Sequence, residues 1–223
     1  MRARRGTLLA GAVAAVWAVV LLWAGIAEVR RADLSRPGEA RPAVAEELIA
    51  AWRRSREATF TTRGTYERRS AVTGATITSE DVVAQRPPQR LHRQLGGVDG
   101  RDDDRLIVCP AAPPDAEEPA LCRLGSPGGP TYVESTEREV LGLRSILLGR
   151  DPLYTVTVPE PGCFHLEQRR VDPRAPFGLE ATFCFDDATG APTRRRVRYE
   201  GGVEERLVVT SVDPDVSDED LEP

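Results

Sequence analysis

Four cysteines are the residues of this chain whose type and spacing point most clearly to chemistry. They are Cys109, Cys122, Cys163 and Cys184. No two of them form a C-x-x-C motif, and the two histidines lie far apart in the sequence, so the pattern is not typical of a zinc site. An even number of cysteines favours disulfides in a chain that lies outside the cytoplasm. The sequence therefore predicts two disulfides, with no metal ion and no cofactor.

The alternation of apolar residues with other residues along two predicted strands favours one pairing of these cysteines. If Cys163 opposes Cys184 on neighbouring antiparallel strands, apolar residues oppose each other on the other face. These apolar pairs are Phe164 with Phe183 and Leu166 with Ala181. Cys109 and Cys122 flank a proline-rich loop in a similar local arrangement. We therefore predict Cys109–Cys122 and Cys163–Cys184 bridges, with the apolar pairs facing helices and the second disulfide facing the outer surface.

The remaining candidates for chemistry stand in patterns that do not support catalysis. Ser145 lies outside any G-x-S-x-G motif, and His92 and His165 alternate with strand residues as hydrogen-bonded or solvent-facing side chains would. The acidic run 99–104 offers carboxylates to Ca²⁺ but lacks EF-hand spacing, so we expect a solvated hairpin tip. The arginines of 194–198 are expected to pair with nearby acids rather than to bind phosphate. We predict no catalytic residue and no enzyme.

Length and charge limit the classes of partner. The chain has 223 residues, enough for one ordinary domain and an appendage. Its 30 basic residues are outnumbered by 35 acidic ones, which gives a net charge of −5. This balance is not typical of a nucleic-acid-binding protein.

The N-terminal residues predict a membrane anchor. Residues 6–27 contain no charged side chain, and a helix of that length rises about 33 Å, enough to cross a hydrocarbon core of about 30 Å. Three arginines precede them within residues 1–5, which favours a cytoplasmic N-terminus. We expect a single-pass signal-anchor in the cell membrane, with the bulk of the chain extracytoplasmic. A cleaved signal peptide, with small residues at 25–27, is the alternative.

Beyond a charged linker at 28–41, the pattern predicts one domain over 42–223. A helix is expected from Pro42 to Glu57, and a second helix after a Thr136–Glu139 capping box, ended by Gly149 in a left-handed conformation. Most of the remaining segments of this domain are predicted to be strands. They are predicted at 60–66, 76–85, 90–95, 105–109, 121–124, 153–158, 163–169, 179–185, 193–200 and 203–212. These elements indicate an α+β fold with helices on one face of an antiparallel sheet.

The last predicted hairpin can be drawn in two registers. A two-residue turn at Gly201-Gly202 would place Val197 opposite Arg206. A shift of one residue would instead pair Val197 with Leu207, both apolar. We therefore expect a three-residue turn or a bulge.

Several short motifs resemble those of LolA/RseB-like periplasmic domains. They are the stretch from Cys184 to Arg194 with its Thr-Gly turn, the ending 212–220, Phe60-x-x-x-Gly64-x-Tyr66, and Pro87-Pro88-x-Arg90. The resemblance implies a strongly curved antiparallel half-barrel whose concave face is plugged by helices. It also implies a lipid or lipoprotein acyl-chain carrier of the LolA type, or a sensor of the MucB/RseB type that binds a membrane regulatory protein.

Together these observations favour a non-catalytic, membrane-anchored, extracytoplasmic sensor or docking domain. The alternative is a domain that binds or carries a lipid or lipoprotein acyl chain. The expected partners are the membrane and either a membrane protein or a lipid. The sequence does not indicate an oligomeric state.

Overall fold

The computed structural model describes residues 42–111, 121–173 and 175–223. The predicted cytoplasmic residues 1–5, membrane span 6–27 and linker 28–41 lie outside the described residues. Within the described part of the chain, none of the helices combines the length and the apolar character that crossing a membrane requires.

The described chain alternates two long helices with runs of short strands. The elements are α1 Pro42–Glu57, β1 Phe60–Ser70, β2 Thr76–Arg86, β3 Gln89–Gln94, β4 Gly97–Asp102, β5 Arg105–Cys109, β6 Arg123–Leu124, α2 Tyr132–Leu148, β7 Tyr154–Glu160, β8 Cys163–Gln168, β9 Glu180–Phe185, β10 Pro192–Arg198 and β11 Val203–Asp213. A 3₁₀ turn follows at Glu219–Leu221. The predicted α+β class is confirmed, and α1 has the predicted bounds.

All eleven strands form one open antiparallel sheet in the order β6-β5-β4-β3-β2-β1-β11-β10-β9-β8-β7. Strands β1 to β6 extend from the centre to one edge, and α2 leads to the opposite edge at β7. The chain then returns strand by strand until β11 pairs with β1. This topology places the first and last strands side by side in the middle.

The largest core lies between the two helices and the β7–β10 half of the sheet. The apolar stripe of α1 packs there, with Leu48 and Ile49 fully buried. Val140, Leu143 and Leu147 of α2 complete the helix side of this core. The strand side is Tyr154, Val156, Phe164, Leu166, Ala181, Phe183 and Val197. Burial of apolar surface in this core holds the helices on the sheet.

The predicted cysteine pairing and register are both present. Cys109 is bonded to Cys122 and Cys163 to Cys184. Cys163 and Cys184 are directly opposed on β8 and β9, and Phe164 opposes Phe183 on the helix face. The second disulfide lies on the outer face as expected, but it is buried because the Arg194 guanidinium covers both sulfurs.

The second helix ends before Gly149 as predicted, but its predicted start and the predicted conformation of Gly149 are wrong. The capping box is Thr131 with Glu134, because Thr131-x-x-Glu134 has the same spacing as the predicted Thr136–Glu139 box and begins the helix five residues earlier. Gly149 has φ −61°, so it is not left-handed. Glycine is needed there for space, because an added Cβ would lie 2.3 Å from the Ser145 carbonyl oxygen.

The solvated acidic tip predicted at residues 99–104 is present only in part, as the exposed end of the β4–β5 hairpin. Most of that stretch belongs to β4, which pairs with both β3 and β5, and the turn is limited to two residues after Asp102. Sequence patterns do not predict this strand, because glycine and aspartate are poor strand formers. Gly100 is required by close packing, because a Cβ there would lie 2.4 Å from the Arg90 carbonyl oxygen.

The last hairpin has the predicted three-residue turn, between Tyr199 and Val203. Its register is different, because Val197 opposes Glu205 and Leu207 opposes Arg195. A shift of two residues keeps every side chain on its own face, so apolar alternation cannot distinguish these registers.

Candidate functional site

The candidates that the sequence offered for catalysis do not meet in one place. Ser145 is exposed on α2, and His165 shares a 3.1 Å contact with the Thr182 hydroxyl on the outer face of β8 and β9. Three of the four arginines of β10 are paired as predicted, whereas Arg195 forms no ion pair among the described residues and its buried Nε has no acceptor. The partners of the other three are Glu160 for Arg194, Glu204 for Arg196 and Glu180 for Arg198.

One group of potential metal ligands in the described part of the chain combines a glutamate with two cysteines that are already bonded to each other. Among the described residues, Glu160, Cys163 and Cys184 are the group of potential ligands within 4.8 Å of one another. The two cysteines form a disulfide, and metals in proteins bind the thiolate form. This cluster is therefore structural.

The helix-bearing face of the sheet changes from apolar to polar across the middle strands. Its β7–β10 half contributes the aromatic and aliphatic core, whereas the β2–β4 half carries hydrogen-bonding and charged side chains. Register places these polar residues on one face. They are Asp81, Gln85, Arg90, His92, Gln94, Asp99 and Arg101. The candidate site lies where this polar surface meets the helices.

Gln85 joins the polar half of the sheet to the end of α1. Its side chain is fully buried, and Nε2 lies 2.6 Å from the Ser55 carbonyl oxygen and 2.7 Å from that of Ala58. The last carbonyls of a helix have no partner within the helix, so this amide satisfies them. Gln85 thereby fixes the last turn of α1, which carries Arg56 toward the site and follows directly on the turn that carries Trp52.

His92 lies between two carboxylates. Its Nε2 is 2.8 Å from Asp81 Oδ2, and its Nδ1 is 3.5 Å from Asp99 Oδ1. Burial lowers the pKa of His92, but hydrogen bonds and charges from Asp81 and Asp99 raise it by more, so the net pKa is above the usual value. The His92 hydrogen bond is also the main reason why the pKa of Asp99 is lowered. The folded chain therefore holds the proton of His92 more tightly than the unfolded chain does.

A polar cleft of about 140 Å³ lies between this surface and the first turns of α2. Its lining combines three arginines with His92, two acids and hydroxyl groups. The residues are Arg56, Arg90, His92, Asp99, Gly100, Arg101, Tyr132, Ser135, Thr136 and Glu139. We call it the cationic cleft.

One ion pair forms the wall of the cationic cleft on the helix side. Arg56 Nε is 2.7 Å from Glu139 Oε2, and the same oxygen accepts a hydrogen bond from Trp52 Nε1 at 3.1 Å. The Arg56 guanidinium also stacks over the Trp52 ring at 5.2 Å, and the Tyr132 hydroxyl donates to the Arg56 carbonyl at 2.7 Å. These contacts lock α1 to α2 at this point.

An apolar groove of about 320 Å³ lies on the other side of the same ion pair. Its walls come from the two helices and from the segment between β8 and β9. None of its lining residues belongs to a strand. They are Trp52, Arg56, Glu139, Gly142, Leu143, Ile146, Pro176 and Phe177. Phe177 is held in place because its backbone N–H donates to the Tyr154 hydroxyl at 3.0 Å. We call this the apolar groove.

Sequence reasoning did not find either of these clefts. Trp52 was recognised as part of an apolar stripe and Arg90 as part of a motif, but residues from α1, β3, β4 and α2 meet only in the fold. The available signal was the run of polar residues at alternate positions of β3, Arg90, His92 and Gln94, which gives that strand a polar inner face.

Comparison with known proteins finds similar folds but no related sequence. No protein-family model matches the chain, and neither does any curated protein sequence. A LolA superfamily protein from Nitrosomonas europaea aligns over 80% of this chain and 97% of its own, with 9% identity and a TM-score of 0.32. A DUF1329 family protein from Desulfovibrio piger covers 83% and 98%, with 9% identity and a TM-score of 0.35.

The MucA/MucB complex of Pseudomonas aeruginosa is also similar, with 16% identity and a TM-score of 0.47. That alignment covers 81% of this chain but 61% of the other, so this chain spans about three-fifths of its length. LolA superfamily and MucB structures are thus among the folds that the chain is similar to, as the sequence predicts. The likeness is one of fold alone.

Proposed function

We propose that the chain is a membrane-anchored, extracytoplasmic docking or sensor domain that binds a membrane protein and catalyses no reaction. In this proposal the sheet forms a curved half-barrel, and the helices fill its inner face. The apolar groove beside Trp52 and Phe177 receives an apolar side chain of the partner.

The observation that carries the proposal is the position of the free apolar space. The interface between helices and sheet is filled by packed side chains such as Leu48, Leu147, Leu166 and Tyr154, each almost completely buried. The apolar groove lies instead on the side of the helices, open to solvent, and no strand residue lines it. Such a shallow, aromatic-lined groove suits the anchor side chain of a protein partner.

Two features support the proposed location. Both disulfides, Cys109–Cys122 and Cys163–Cys184, belong to a class of bond that persists outside the cytoplasm. The uncharged run at 6–27, preceded by arginines, has the length and flanking charge of an anchor with its C-terminal side outside.

Site-specific photo-crosslinking in cells tests the docking proposal. Gly142 lines the apolar groove, and an added Cβ there meets no neighbouring atom within 4 Å, so a photoreactive side chain can leave the helix at this position without a clash at its first atom. We expect irradiation of the full chain to give one discrete protein adduct from this position.

Leu141 provides the matched control, because it is the preceding residue of the same helix, is 62% exposed and does not line the apolar groove. The photoreactive residue at Leu141 should give no such adduct. Equal adducts from both positions, or none from Gly142, would contradict docking at the apolar groove.

The second candidate is acyl-chain binding, favoured by the apolar character of the same groove. Its volume of about 320 Å³ is at the lower end of the roughly 300–1,000 Å³ typical of ligand pockets. Mass spectrometry of organic extracts from the purified chain tests this candidate. A stoichiometric lipid that is lost when Gly142 is replaced by Trp would favour the carrier function over docking.

A further inference from the structure

Two arginines in the cationic cleft have no acidic partner. Among the described residues, the Arg90 guanidinium makes no hydrogen bond or ion pair, and its Nε is buried without an acceptor. Arg101 donates to two backbone carbonyls, those of Pro130 and Asp103, and has no carboxylate within 4.0 Å. Within the described residues neither guanidinium therefore forms an ion pair, although Asp99 and Glu139 lie near enough to Arg90 to oppose the lowering of its pKa.

The other charges of the cleft are already engaged. Glu139 binds Arg56 and Trp52, and Asp99 contacts His92. The residues that line the cationic cleft include three arginines and two acids. Their net charge is therefore +1 when His92 is neutral and +2 when His92 is protonated.

The sheet holds Arg90 and Arg101 next to each other. Arg90 and Arg101 are directly opposed on β3 and β4, where like charges are destabilising. Burial lowers the pKa of Arg90 to about 10, and the nearby charge of Arg56 adds to this effect. Arg90 remains charged at neutral pH, so the fold retains a charge pair that an anion would stabilise.

We propose that the cationic cleft binds a phosphate group between Arg90 and Arg101. A guanidinium presents a planar fork of donors that matches phosphate geometry, and a phosphate has enough oxygens to accept from two such forks at once. A phosphate dianion also neutralises both free charges. The cleft volume of about 140 Å³ corresponds to roughly four or five waters at about 30 Å³ each, which leaves room for a phosphate group.

The hydroxyl groups of α2 add further donors. Ser135 and Thr136 line the cationic cleft opposite the two arginines. This site goes beyond the proposed docking function, because the cationic cleft and the apolar groove are separate spaces that share only the Arg56–Glu139 pair. The phosphate comes either from free inorganic phosphate or from a phospholipid headgroup, and the experiment distinguishes the two.

Isothermal titration calorimetry of the full chain in an uncharged detergent tests the proposal. Inorganic phosphate is titrated at constant ionic strength, and short-chain dihexanoylphosphatidate and dihexanoylphosphatidylcholine are titrated separately. We expect saturable phosphate binding that is at least tenfold weaker in Arg90→Gln and in Arg101→Gln. The matched control is Arg105→Gln, which removes an exposed arginine from the neighbouring β5 and should leave the affinity within twofold.

The arms of the experiment give distinct outcomes. Binding of inorganic phosphate alone identifies soluble phosphate as the source, whereas tighter binding of phosphatidate than of phosphatidylcholine identifies a headgroup. Both results support the proposal. Absence of saturable binding to either phosphate source, or binding that neither Arg90→Gln nor Arg101→Gln weakens, would overturn it. Two separate variants keep the test valid if one of them fails to fold.

Discussion

Gln85 is the residue on which the position of the site depends most directly. Its Nε2 donates to the carbonyls at the end of α1, and the side chain has no exposure to solvent. Gln85→Leu keeps a similar volume but leaves these buried carbonyls without a donor. We expect a loss of about 1–3 kcal/mol in the free energy of unfolding, measured by urea denaturation.

Gln89→Leu is the control for that substitution. Gln89 lies on the adjacent strand, and its amide donates to Asp102 at 3.2 Å in an exposed hydrogen bond. Its replacement should change stability by less than about 0.5 kcal/mol. Equal effects of the two substitutions would show that Gln85 does not cap α1.

The pH response of the site should depend on His92. Because Asp81 and Asp99 raise its folded pKa above the usual value, protonation stabilises the fold. This contribution is complete below the usual pKa of about 6.5 and is lost as pH rises through the raised folded value. Asp99→Asn should lower the folded pKa of His92 and weaken this pH dependence, as measured by NMR titration and by unfolding between about pH 5 and pH 9.

Asp102→Asn is the matched control, because Asp102 is on the same strand as Asp99 but contacts Gln89. It should leave the titration of His92 unchanged. A His92 pKa that does not respond to Asp99→Asn would contradict the assigned hydrogen-bond network.

At the scale of elements, the start of α2 is set by a cap rather than by its apolar stripe. The Thr131 hydroxyl accepts from the Glu134 backbone N–H at 3.2 Å, and the Glu134 carboxylate accepts from the Thr131 N–H at 2.9 Å. Thr131→Ala should lower the free energy of unfolding by about 1 kcal/mol. Ser145→Ala, at an exposed position of the same helix, should have little effect. Equal unfolding midpoints for Thr131→Ala and the unmodified chain would argue against this cap.

Local sequence patterns predicted that the helices and strands exist more accurately than they predicted where these elements begin and end. The apolar spacing of Leu48 and Ile49 was enough for α1, and strand alternation around Cys163 and Cys184 gave the correct register. The start of α2 could not be chosen from the sequence, because two threonines have a glutamate at the same spacing. Strand β4 was missed because its glycines and aspartates pair through backbone hydrogen bonds rather than through side-chain preference.

At the scale of the whole molecule, the site could not be predicted because it depends on distant parts of the chain. The cationic cleft joins residues of α1, β3, β4 and α2, and the apolar groove adds Phe177 from the segment between β8 and β9. Periodicity reports on one element at a time. It identifies which face of a helix is buried but not which two helices leave a groove between them.

The location of the domain is the claim on which the disulfides, the docking groove and the membrane partner all depend. Leu141→Cys places one new thiol at an exposed position of α2, while the four native cysteines are bonded to each other. Intact cells expressing the full chain are treated with a membrane-impermeant maleimide before or after permeabilisation, with the unmodified chain as control. We predict complete labelling of Leu141→Cys in intact cells and none of the unmodified chain. Labelling of Leu141→Cys only after permeabilisation would place the domain in the cytoplasm and contradict the account.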